Sequence, residues 1–201
     1  MLCLITRMEN TPLDQYEKLI RQAIAGGVSM IQLREKSKNL NELKEIGCAL
    51  KNILAPLKIP LMINGHIELA KAINADGVHL GQSDCLSDIA RKILGKNKII
   101  GLSIETLEEL LIANSLGCID YVAASSIFES KSKADCKTIW GLSGLKKIVA
   151  LSKHCVMAIG GINENNIHDV IKTGVTSVAV ISAIHDANNP KNTAKNLCLK
   201  H

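Results

Sequence analysis

Aromatic side chains are nearly absent, at 2% of the 201 residues. That scarcity argues against a base-stacking surface for nucleic acid and leaves the core to Ile, Leu, Val and Ala. No apolar run reaches the length of a membrane span. No basic-then-apolar leader is visible, because a strand pattern begins almost at the first residue. Cysteines are present but lack any C-x-x-C pair or zinc-like spacing: Cys3, Cys48, Cys85, Cys118, Cys136, Cys155 and Cys198 read as reduced thiols, which places the protein in the cytoplasm. Blocks of like charge are missing too. The net charge of +5 is spread along the chain, which suits small anionic ligands or a solvated surface. No Gly/Ser/Pro linker or shift of composition divides the sequence, so residues 1–201 read as one domain.

What is there is a regular alternation. Strand-like apolar runs cover 2–6, 30–33, 61–63, 77–80, 99–102, 121–124, 156–159 and 177–180. Between them, amphipathic helix patterns cover 13–25, 40–54, 67–73, 106–116, 144–150 and 167–173. Asn41 and Glu42 fall in the first turn of the second helix, Thr106 can cap its helix with Glu109 three positions on, and Gly174 is a stop signal. Alternation of this kind indicates a parallel sheet with crossover helices, either doubly wound or a (β/α)₈ TIM barrel. Eight nearly evenly spaced units favour the barrel, whose functional residues stand at the C-terminal ends of the strands.

Those strand ends carry the polar residues. Gln32-Leu33-Arg34-Glu35-Lys36 follows the second strand, and in extended chain Gln32, Arg34 and Lys36 share a face. Burying unpaired cations costs several kcal/mol, on the order of a domain's net stability. Either Arg34 pairs with a core carboxylate, or a phosphate or diphosphate meets the Arg fork and the Lys charge. Asn64 and Gly65 follow the third strand, Gln82 and Asp84 the fourth, Ser103 the fifth and Ser182 the eighth. This gathering at one end of the sheet favours the anion.

Gly160 and Gly161 follow the seventh strand, ahead of a helix expected to begin near Glu164. Paired glycines there let a phosphate approach backbone amides, or supply the positive φ of a tight turn. Ile181 and Ser182 could complete such a cradle. Asp84 is either a ligand for a hard cation such as Mg²⁺ or the cap of a helix over 86–94. His79 lies within a strand and reads as a satisfied core residue. Residues 125–133 open the longest connection, and Ser130, Lys131, Ser132 and Lys133 give it the hydroxyls and cations of a lid over anions.

Taken together and in this order, these motifs resemble the thiamine-phosphate synthase (thiamine-phosphate pyrophosphorylase) family. The resemblance runs from Leu4-Ile5-Thr6 to Ile184 and includes Gln32–Lys36, Ile63-Asn64, Ala75-Asp76-Gly77-Val78-His79-Leu80-Gly81-Gln82 with Asp84, Ser132-Lys133 and Ile159-Gly160-Gly161-Ile162. It implies a TIM barrel joining a pyrimidine diphosphate to a thiazole phosphate, with pyrophosphate leaving first. By the same resemblance Gln32, Leu33, Arg34, Glu35, Lys36, Asn64, Ser103 and Lys133 would hold the pyrimidine diphosphate. Ser130, Lys131, Ser132, Gly160, Gly161, Ile181 and Ser182 would hold the thiazole phosphate. Catalysis would fall to Arg34, Lys36, Lys133 and Ser103, and Mg²⁺ to Asp84. The expected partners are small phosphorylated substrates, with no nucleic acid or membrane, and homo-oligomerisation is left open.

One departure stands out. The family carries Asp after the turn Asn, and here the residue is Gly65. Losing that carboxylate should weaken Mg²⁺ binding unless water or diphosphate replaces it. The Asn-Gly pair is similar to the related thiazole tautomerase family, which is expected to carry a His where this chain has Ser126. A tautomerase and a non-catalytic relic that binds thiamine phosphate are the alternatives.

Overall fold

The computed structural model describes residues 1–84, 86–130 and 137–198. Eight strands lie in chain order: β1 (Leu2–Ile5), β2 (Met30–Leu33), β3 (Leu61–Asn64), β4 (Gly77–Leu80), β5 (Ile99–Ile104), β6 (Tyr121–Ser125), β7 (Cys155–Ile159) and β8 (Ser177–Val180). Each pairs in parallel with the next, and β8 closes on β1. The result is the closed TIM barrel that the alternation indicates.

The helices are α1 (Leu13–Ala25), α2 (Leu40–Leu54), α3 (Ile67–Ala72), α4 (Ser87–Leu94), α5 (Leu107–Ala113), α6 (Gly141–Leu151), α7 (Ile167–Lys172), α8 (Ser182–His185) and α9 (Pro190–Leu197). Local chemistry sets their limits. Asn39 starts α2, with Asn41 and Glu42 in the first turn as read: its side chain accepts from the Asn41 and Glu42 amides, and Glu42 reaches back to the Asn39 amide. Thr106 caps α5 by accepting from the Glu109 amide. That helix stops short of residue 116, because the Ser115 hydroxyl bonds back to the Ile112 carbonyl. The α7 helix begins at Ile167, not near Glu164, since the Asn166 side chain folds the preceding turn by accepting from the Asn163 amide. The pattern reading missed α8 and α9. Asn189 accepts from the Asn192 amide, with Pro190 in the first turn of α9.

Side-chain alternation along the strands separates two cores. Outward residues such as Leu4, Ile31, Ile63, Val78, Val122 and Val180 pack beneath the helices. On α2, Leu43, Ile46, Leu50 and Leu54 face them at helical spacing. Leu50 and Leu54 are fully buried, each contributing about 1.5–3 kcal/mol through removal from water. Inward residues Cys3, Ile5, Met30, Met62, Tyr121 and Met157 fill the barrel. Gly101 makes room for one of them, since a Cβ there would collide with the Tyr121 ring. No helix among the described residues is long and apolar enough to cross a membrane.

Candidate active site

The apolar interior gives way to polar side chains toward the strand C-termini. One step along the inward face from Met30, Met62, Gly77 and Gly101 stand Gln32, Asn64, His79 and Ser103, respectively. They line a cavity of about 420 Å³ whose apolar floor includes Ile5, Ala123, Met157 and Ala179. A cavity of that size suits a small ligand held by a few oriented polar groups.

The floor is prearranged by hydrogen bonds. Gln32 Nε2 donates to Asn64 Oδ1 over 2.9 Å. His79 sits between two hydroxyls, with Nδ1 2.9 Å from Tyr121 and Nε2 2.9 Å from Ser103 Oγ. The expectation that His79 is a satisfied core residue therefore holds, and it also lines the cavity. Tyr121 carried no sequence signal beyond bulk. Burial pushes its phenol well above the ordinary range, so it remains a neutral hydroxyl. Burial likewise pushes the Cys3 thiol up to about 12, which keeps it inert. No buried side-chain nitrogen or oxygen among the described residues lacks a partner.

The cationic side of the mouth comes from β2 and its loop. The strand ends at Leu33, so Arg34 and Lys36 lie beyond it. Arg34 is half-buried and lines both the main cavity and a recess of about 140 Å³, where Lys36 and His66 also stand. The Arg34 amide donates to Thr6 Oγ1 over 2.9 Å, which fixes the turn. Leu33 belongs to the outer core, and the Glu35 carboxylate accepts from the Met8 amide over 2.9 Å. Both help to place Arg34 rather than face the main cavity.

Asp84 lines the cavity from the β4 loop, where its Oδ2 accepts from the Gly81 amide over 2.6 Å. It does not cap the following helix: α4 begins at Ser87 after Leu86, with no side-chain cap. The capping alternative fails because Asp84 lies too far upstream and is committed to its own turn. Gly65 stands opposite at φ 72°, where a Cβ would lie 3.3 Å from Asp84 Oδ2. No group of three His, Cys, Asp or Glu that could hold a metal occurs among the described residues. The described residues thus offer no all-protein cage at this mouth, and Asp84 fits a Mg²⁺ shared with substrate phosphates.

The opposite wall is glycine and hydroxyl. Gly160 and Gly161, at φ 106° and 65°, line the cavity together with Ile181, Ser182 and Ser130. The positive φ that one reading of the paired glycines calls for is present at both, and the β6 loop also approaches them closely. A Cβ at Gly160 would collide with the Ser126 side chain, and one at Gly161 would lie 2.6 Å from the Glu129 carbonyl. The β6 loop thus packs directly on the β7 loop, joined by the Phe128 amide donating to the Gly160 carbonyl over 3.0 Å. Ser126 Oγ donates to the Phe128 carbonyl, and Trp140 Nε1 to the Ser125 carbonyl. Lys131, Ser132 and Lys133 lie outside the described residues. Sequence reasoning passed over Glu105, which also lines the mouth, and the cluster of Arg7, Tyr16 and His185 beside β1.

A sequence profile described as thiamine monophosphate synthase matches residues 2–184. A thiamine-phosphate synthase of Vibrio parahaemolyticus is 45% identical over 185 residues, covering 92% of this chain and 90% of that protein. One from Chlamydia caviae is 42% identical over 189 residues, covering 94% and 89%. The solved thiamine phosphate pyrophosphorylase of Pyrococcus furiosus superposes with a TM-score of 0.86 at 37% identity, covering 98% of this chain and 92% of that one.

Proposed function

The chain belongs to the thiamine monophosphate synthase family, and from that premise we propose how its barrel mouth works as a transferase. The reaction joins a pyrimidine diphosphate to a thiazole phosphate and releases pyrophosphate. The observation that carries the reading is the polarity of one cavity: Arg34 and Asn64 stand at one side, Gly160, Gly161 and Ser182 at the other. Two anionic groups can thus be held apart, with the reacting carbon and nitrogen between them.

The pyrimidine would lie over Gln32, Asn64 and Ser103, with its diphosphate toward Arg34 and Lys36. Bond cleavage leaves the electron pair on the departing pyrophosphate, so its charge grows in the transition state. Cations already fixed there stabilise that charge without reorganising. The half-buried Arg34, held by its amide on Thr6, is the principal such group, and Lys133 is assigned the same task. The thiazole nitrogen then supplies its lone pair to the pyrimidine cation, completing the carbon–nitrogen bond. Gly160, Gly161, Ile181 and Ser182, with Ser130, Lys131 and Ser132, would hold the thiazole phosphate. Closely held partners convert a bimolecular step into an effectively unimolecular one.

Mg²⁺, where bound, would be held by Asp84 and would supply further charge neutralisation on the diphosphate. Five free cysteines among the described residues, Cys3, Cys48, Cys118, Cys155 and Cys198, support a reducing compartment such as the cytoplasm.

The test is thiamine phosphate formation from the two phosphorylated precursors across a Mg²⁺ series that includes none. Formation rising with Mg²⁺ is expected. Absence of product at every concentration, with turnover of a thiazole phosphate tautomer instead, would overturn the reading.

A further inference from the structure

The loop after β8 is held from behind by a half-buried histidine. His185 ends α8, and its Nδ1 lies 3.0 Å from the Ile181 carbonyl oxygen. Its Nε2 lies 3.0 Å from the Arg7 amide nitrogen and 2.8 Å from the Tyr16 hydroxyl. A carbonyl only accepts and an amide N–H only donates, so the two backbone partners fix the tautomer. Nδ1 carries the proton and Nε2 does not.

The neighbouring bonds then acquire directions. Tyr16 donates to Nε2, while its oxygen accepts from the Arg7 amide over 3.1 Å. The Thr6 hydroxyl, just past the end of β1, accepts from the Arg34 amide. Arg7 and Tyr16 therefore hold Nε2 in place while Nδ1–H reaches the Ile181 carbonyl, across the back of the mouth. Tyr16 and Thr6 are both buried, so water does not readily compete for these bonds.

The Ile181 carbonyl belongs to the same peptide unit as the Ser182 amide. In a planar trans peptide the two point in opposite directions, so fixing the carbonyl aims the N–H. The carbonyl's other partners, the Ile184 and His185 amides at 3.3 and 3.2 Å, are longer. We propose that His185 is a positioning residue for the thiazole phosphate: its Nδ1–H orients the Ile181–Ser182 peptide while Nε2 is held by Arg7 and Tyr16, and protonation, which leaves Nδ1–H in place but turns Nε2 from acceptor to donor, shifts the ring that holds the peptide. This rests on the reading that the thiazole phosphate sits against the loops after β7 and β8.

Protonation would set an Nε2–H against the Arg7 amide and remove the acceptor for Tyr16. The groups facing His185 are Tyr16 from α1, Arg7 and Glu9 from the β1 loop, and Asp186 beyond α8, with Glu35 from the β2 loop on the adjacent Met8 amide. Arg7 pairs with both Asp186 and Glu9. Burial holds the proton affinity of His185 below its ordinary value, aided by Arg7 and opposed by the Ile181 carbonyl and the two carboxylates.

The experiment compares the full-length chain with His185→Gln, His185→Leu and Ser182→Ala. KM is measured separately for each substrate between about pH 5.5 and pH 8, and folding is checked by thermal melts. At the upper pH, His185→Leu should raise KM for the thiazole phosphate about tenfold, the scale of one lost hydrogen bond. KM for the pyrimidine diphosphate should stay within about twofold. Below about pH 6.5, KM for the thiazole phosphate should climb more steeply in the native chain than in His185→Gln. The substrate's own phosphate, with a second ionisation near pH 6, is common to both and cancels in the ratio. Equal pH slopes in the native chain and His185→Gln overturn the proposal even if His185→Leu fails to fold. So does a matching rise of both KM values in His185→Leu. If Ser182→Ala raises KM for the thiazole phosphate and His185→Leu does not, only the role of His185 is lost. If Ser182→Ala and His185→Leu both leave it unchanged, the reading of the phosphate site fails as well.

Discussion

Replacing Gly65 with aspartate puts the electrostatics of the mouth to a quantitative test. The added Cβ would lie 3.3 Å from Asp84 Oδ2, so the new carboxylate meets the old one. Two unit charges about 4 Å apart repel by about 4 kcal/mol at an effective dielectric constant near 20, and by about 1 kcal/mol in water. Asp84 is half-buried at the rim, which places the repulsion at roughly 2 kcal/mol. The positive φ of 72° adds about 1 kcal/mol for Asp, which tolerates that region better than most residues. The variant should therefore lose roughly 3 kcal/mol, and at about 2–4 °C per kcal/mol for a chain of this size its Tm should fall by roughly 6–12 °C. Mg²⁺ bridging the two carboxylates reverses most of this, since a ligand at 100 times its Kd contributes about 2.7 kcal/mol. The assay is calorimetry of both proteins without substrate, with and without millimolar Mg²⁺. The native chain should barely respond, because Asp84 alone is a poor cage. A variant that melts like the native chain without Mg²⁺, or a metal that stabilises both equally, would refute the reasoning.

Arg34→Ala should abolish most turnover while leaving the melt close to native, as seen by steady-state kinetics and thermal scans. An unfolded variant would show Arg34 to be a member of a structural ion pair instead. Gly160→Ala should cost about 3 kcal/mol or more, from overpacking against Ser126 plus a φ of 106°. A denaturant midpoint equal to the native one would contradict that packing. Asn39→Ala removes the α2 capping box and should lower stability by about 1 kcal/mol without changing either KM. Stability should also decline as pH falls below about 6.5. Burial lowers the proton affinity of His185 in the folded state, so over that interval the unfolded chain binds more protons and gains on the folded one. His185→Gln should flatten that part of the curve, read as melting temperature against pH.

The barrel was legible because its physics is periodic. A strand buried on both faces must be a short apolar run, and a covering helix must carry a stripe such as Leu43, Ile46, Leu50 and Leu54. Residues 30–33, 77–80 and 177–180, and helices 13–25 and 40–54, end where pattern and caps place them. The strand-end polar residues were legible for the same reason, since a parallel barrel brings every C-terminal strand end to one mouth. Local rules ran out where a side chain had two uses. Asp84 could cap a helix or line a cavity by spacing alone, and only the fold turns it onto the Gly81 amide. His79 and Tyr121 lie in different strands, so their bond depends on barrel register and on the space left by Gly101.

The glycines and His185 mark the same boundary more sharply. The Gly160-Gly161 pair announced a tight turn, but its need for missing side chains comes as much from the β6 loop lying on it. His185 gave no signal, because its partners Arg7 and Tyr16 are far away in sequence and meet it only once β8 closes on β1. Sequence by itself determined the kind of fold, the end of it that carries chemistry and the family, since each depends on near-neighbour periodicity or short motifs. Tertiary structure alone decided which hydroxyls face which rings, where a carboxylate points and which histidine tautomer is held, because those depend on contacts that exist only after the barrel closes.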